Sequence, residues 1–89
     1  MLPEKSDLID DDVRYSSRAI TRGLLSLRHV LGQATVDAIE YDFEVYGLPL
    51  VNERIDYTFA QIKTACEKIF GDAAPLFLER FARALKNSH

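Results

Sequence analysis

Few residues in this chain are of a type that does chemistry, and their spacing decides against most of them. Cys66 is the single cysteine. A nucleophilic thiolate needs an accessible, electropositive setting, but Cys66 recurs with Phe59, Ile62, Ile69 and Phe70 on one apolar stripe, which makes it a small core residue. His29 falls off the apolar seam of its segment and His89 is the last residue, and neither has a partner at metal-ligand spacing. The run Asp10, Asp11, Asp12 lacks the alternating ligands and the glycine of a calcium loop and reads as helix capping. Ser16, Ser17 and Thr21 lie inside a helical pattern, without the glycine-flanked turn of a nucleophile elbow. No catalytic residue, metal site or cofactor is expected.

The stretch "KIFGDAAPLF", residues 68–77, is the one that looks like a loop with a task. It has neither the glycine density nor the lysine and following hydroxyl of a phosphate loop. A helix corner accounts for it better: Gly71 releases one helix, Asp72 caps the next, and Pro75 is tolerated in a first turn whose amides have no intrahelical acceptor.

Arg14, Arg18 and Arg22 recur every fourth residue and form a basic stripe on the predicted first helix. The second carries Asp37, Glu40, Asp42 and Glu44 and no basic residue. Two readings follow. The favoured one is charge complementarity between these helices, within or between chains, together with solvated surface. The sharper one is an anion site on the arginine stripe, for phosphate or nucleic acid. Missing flanking aromatics and a net charge of -3 argue against nucleic acid as a partner.

The elements that must position these residues are helices. From about Asp10 to Leu31, apolar residues at Val13, Ile20 and Leu27, and at Leu24 and Leu31 with Ser17 completing the series, make a heptad seam on one long helix that ends at Gly32. Ser16, Ala19 and Gly23 line up beside it as small residues, where close helix approach or a kink would explain the glycine. The seam is a candidate homodimer interface through Val13, Ile20, Leu24, Leu27 and Leu31; equally, it could cover the other helices of its own chain. A second helix, about Ala34 to Tyr46, is marked by Val36, Ile39, Phe43 and Tyr46 and stops at Gly47. "GLPLVNER" then forms a loop or extended link, since Pro49 pushes Leu48 away from helical geometry. A third helix follows, with Asn52 or Asp56 as its cap, and a fourth presents Phe77, Leu78, Phe81 and Leu85 inward. "VLGQATVDAIE" and "IFGDAAPLFLE" echo one another, and the simpler account is two Gly-ended corners with similar needs. The expectation is an all-α domain of four helices with a long N-terminal helix, two Gly-ended corners, a flexible segment 1–9 and a single domain over 10–87.

Totals agree with this. Eighty-nine residues with a hydrophobic share of 47 % suit one small globular domain, short enough that a partner subunit is a reasonable source of stability. "MLPEKSDLIDDD" has no cationic and apolar leader pattern, and no segment approaches the roughly 18 apolar residues of a membrane span. With one unpaired cysteine, the expectation is a cytoplasmic protein without membrane association.

At "VLGQATVDAIEYDFEVYGLPL" and "KIFGDAA" the chain resembles a small archaeal family, the Nitrosopumilus output domain family, type five, over roughly residues 28 to 86. The matching positions are Leu31, Gly32, Ile39, Tyr41, Glu44, Tyr46, Gly47, Phe70, Gly71 and Ala74. The resemblance implies an output or interaction module in signalling; a protein partner, a second copy above all, is what the heptad seam adds. A second resemblance, through chain length, a long first helix, "LLSL" and "GLPL", is to the all-helical chorismate mutases. That family binds a dianion with arginines and lysines, whereas here Gly32 interrupts the long helix and acidic residues follow. A homodimeric interaction module is therefore the expected function, with the mutase and an anion binder as alternatives.

Overall fold

A computed structural model of the chain describes residues 9–51 and 55–87. In chain order the elements are strand β1 (Arg14–Ser16), helices α1 (Ser17–Ser26), α2 (Arg28–Leu31) and α3 (Gln33–Val45), strand β2 (Asp56–Thr58), helix α4 (Phe59–Phe70), a 3-10 turn (Gly71–Ala73) and helix α5 (Ala74–Asn87). The fold is mostly α, and α1 with α2 forms a long N-terminal helical arm, tightened at Leu27, whose N–H bonds the carbonyls of both Leu24 and Leu25.

That arm starts at Ser17 and not near Asp10, because Ser16 is its N-cap: the Ser16 hydroxyl accepts the Ala19 N–H at 3.1 Å. Residues 14–16 pair instead with residues 56–58 as a short antiparallel ribbon, placing Tyr15 opposite Tyr57, both buried. Strands of three residues are too short to show a period of two, so periodicity alone missed them. The turn ahead of β1 serves the distant helix as well. Phe59 N–H and Ala60 N–H, free donors in the first turn of α4, bond the carbonyls of Val13 (2.8 Å) and Asp11 (3.0 Å), while Ser17 N–H bonds that of Ile55. The Asp11 carboxylate pairs with Lys63 of α4 at 2.7 Å rather than capping the first helix.

α4 is capped by Thr58, not by Asp56, which lies in β2; the alternative cap, Asn52, is outside the described residues. Thr58 Oγ1 accepts the Gln61 N–H at 3.2 Å and Thr58 N–H donates to Gln61 Oε1 at 2.9 Å, a reciprocal capping box spelled by T-x-x-Q.

Both expected corners are present. Gly32 (φ 89°) ends α2 and Gly71 (φ 59°) ends α4, and a Cβ at either would meet nothing within 4 Å. What demands glycine there is backbone conformation and not space. Gly47, also at positive φ, follows α3, and Leu48 N–H closes back on the Phe43 carbonyl at 2.8 Å, turning Leu48 into the core. Asp72 departs from expectation: it lies within the 3-10 turn, whose cap is Phe70, and is not the N-cap of the last helix. Pro75 does fall in the first turn of α5.

The core is a single cluster of side chains from α1, α3, α4, α5 and the ribbon, with Leu31 of α2 partly buried against it and α5 packed against both α1 and α4. Phe77 lies between Phe70 (centroids 4.4 Å apart) and Phe81 (5.4 Å), and Phe43 reaches Phe81 from α3 at 6.4 Å. Gly23 is the point of closest approach, where a Cβ would come within 2.9 Å of Phe81 Cε1. The small residue therefore admits α5 of the same chain. Of residues 1–9 only Ile9 is described, and it is buried in this core, so the packed chain begins at least one residue before position 10.

The halves repeat one plan of strand, capped helix, positive-φ glycine and helix. One offset relates Tyr15, Ser16, Ile20 and Leu24 to Tyr57, Thr58, Ile62 and Cys66.

Candidate functional site

The heptad seam does not form a free surface. Ile20 and Leu24 are 0 % exposed within their own chain, Leu27 and Leu31 are half-buried against the core, and Val13, 38 % exposed, precedes β1 and is not helical. Of the two readings of the seam, covering the other helices is the one realised for Ile20 and Leu24, which corrects their assignment as interface residues.

The arginine stripe is also shortened. Arg14 lies on β1 opposite Thr58, so only Arg18 and Arg22 share the solvent side of α1. Cys66 is fully buried, and burial, reinforced by Glu67, pushes its thiol up to about 12, far from the range of a nucleophile. His29 is exposed on α2 and His89 lies outside the described residues. Among the described residues, no group of three or more His, Cys, Asp or Glu side chains could hold a metal ion. None of the described helices is long and apolar enough to cross a membrane.

The feature that stands out is α3, which is apolar on two sides. Val36, Ile39 and Phe43 face the core, while Ala34, Ala38, Tyr41 and Val45, spaced four, three and four apart, are exposed, Tyr41 by 65 % and Val45 by 57 %. Tyr46, expected on the same face as Val36, Ile39 and Phe43, departs from it: it is the C-cap of α3 and 42 % exposed, with the Lys68 ammonium 5.9 Å from its ring centroid.

Beside this stripe runs an open groove of ≈ 310 Å³ between Thr21 of α1 and the acidic flank of α3, where Asp37, Glu40 and Glu44 line it together with Tyr41. Its end is formed by Leu50 and the 86 % exposed Val51, on a loop held by the Tyr57 hydroxyl donating to the Pro49 carbonyl at 2.9 Å. Among the described residues no lysine or arginine lines the groove, and in the sequence none occurs between Arg28 and Arg54. Partial desolvation and then the neighbouring Asp37 raise the Glu40 carboxyl above its ordinary value.

The stripe was visible in the letters of the second predicted helix, but the assignment of an inner face to Val36, Ile39 and Phe43 masked it. A helix with a full core face and a second apolar row carries more apolar residues than one core needs.

Comparison with protein-family models, curated proteins and solved structures gives no match. Fold and surface together define a class: a small, mostly helical domain with a two-stranded ribbon, one apolar core and, among the described residues, a helix that presents an apolar, acid-flanked face outward.

Proposed function

We propose that this protein is a protein-interaction module, of the signalling or regulatory kind implied by its resemblance to the Nitrosopumilus output domain family, type five, and that its docking face is the outward side of α3. The observation that carries the reading is the exposed row Ala34, Ala38, Tyr41, Val45 on a helix whose opposite side already fills the core. Isolated exposed apolar residues are ordinary, but a row at helical spacing is the pattern by which one helix binds another. Homodimerisation, expected on the N-terminal seam, finds Ile20 and Leu24 buried within their own chain, and in this reading it uses the exposed α3 row instead.

The test compares immobilised wild type with Tyr41→Asp/Val45→Asp, exposed to an extract of the source cells and, separately, to the purified protein. Wild type is expected to retain a protein, its own copy included, that the variant does not. Equal retention by the two surfaces rules the docking face out.

A further inference from the structure

We infer that the occupant of the α3 face is α1 of a second copy, docked reciprocally about a two-fold axis over the groove. This rests on the reading of α3 as a docking face. Of the described α1 residues Thr21 lines the groove; Arg18 and Leu25, three residues before and four after it, lie exposed on the same side of the helix, with the exposed Arg22 next to them, and form the α1 rim above it. On the other rim, α3 carries Asp37, Tyr41 and Glu44. The groove thus runs between a helix with outward arginines and one with outward carboxylates.

A two-fold interface brings the same patch together twice, so each residue contacts its complement in both directions. An axis through the groove exchanges the rims: the arginines of each copy face the carboxylates of the other, and Leu25 of each copy meets the Tyr41 and Val45 row. The alternative of α3 against α3 would set the carboxylates of both copies against each other in the apolar seam, with no cation from Arg28 to Arg54 to relieve them. Charge therefore selects the reciprocal arrangement, while the apolar row supplies the area removed from water.

Size limits the strength. α1 spans ten residues and α3 thirteen, lengths of about 15 and 20 Å. Two such neighbouring faces are near the small end of specific interfaces, which bury about 800 Å² per partner.

The experiment uses two charge-reversed proteins, Arg18→Glu/Arg22→Glu and Asp37→Arg/Glu44→Arg, with melting curves recorded for each and masses measured by sedimentation at low salt. Wild type is expected to be a dimer at micromolar concentration that dissociates as salt is raised. Each variant alone should lose affinity by roughly 100-fold, and an equimolar mixture of the two should regain a dimer containing one of each. The mixture guards against misfolding, since two unfolded chains do not restore a specific dimer. A wild-type dimer unaffected by either reversal, or variants that fail to recover on mixing although each is folded, overturns the inference. A wild type that stays monomeric at low salt overturns it too; if the Tyr41→Asp/Val45→Asp surface then still loses a partner from extract, the docking face stands and its occupant is another protein.

Discussion

At the residue scale, position in the fold changes what the ionisable and reactive groups do. Cys66 is expected to be silent toward a thiol-selective reagent in native protein near neutral pH and to react once denaturant opens the core; fast native labelling would contradict its burial. Glu40 is the carboxylate held above its ordinary value of 4.5, first by desolvation and then by Asp37. A raised folded-state value means that the native protein holds this proton more tightly than the unfolded chain does. The associated stability is full below the unfolded value and is lost as pH rises through the folded one. Ionised Glu40 therefore costs stability at neutral pH. In dilute protein Glu40→Gln should melt higher than wild type at neutral pH, and the advantage should disappear below the ordinary glutamate value. An advantage that persists in acid would assign the effect to packing instead of charge.

At the element scale, the sequence was most legible where a local rule forces the answer. Gly32, Gly47 and Gly71 all sit at positive φ, where side chains other than glycine are strained, and each follows the helix it was expected to end. The inner faces of α3, α4 and α5 followed from their spacing, except that Tyr46, counted with Val36, Ile39 and Phe43, is exposed at the end of α3. The start of the N-terminal helix was less legible, because counting Val13 into the heptads hid a strand whose partner lies at 56–58 and whose hydrogen bonds no local window contains. Ser16 and Thr58 with Gln61 held the boundary signal, since both caps precede the first buried helical residue by one position. Gly23 was noticed for its smallness, yet spacing could not say which helix approaches it. With Phe81 and Leu85 closing on that site, Gly23→Ala is expected not to gain the roughly 1 kcal/mol that helix propensity offers. Gly23→Leu should lose about 1–3 kcal/mol from overpacking. Denaturant midpoints check both, and stabilisation by alanine would mean that α5 can withdraw.

At the scale of the whole molecule, a chain of 89 residues folds one core from two similar halves and, among the described residues, still leaves the apolar row of α3 uncovered. The candidate site was only partly legible. The opposed charges of the first two predicted helices were plain in the letters, but the heptad seam drew attention to residues that the chain's own α5 covers. Periodicity reports that a face is apolar; it does not report what lies against it. The most direct test of α3 as the docking face is to measure melting temperature and sedimenting mass over a concentration series for wild type and Tyr41→Asp/Val45→Asp. Both substituted side chains are more than half exposed, so the account predicts a nearly unchanged melting temperature in dilute solution and loss of the mass increase that wild type gains with concentration. A variant that keeps its fold and associates as wild type does would contradict it.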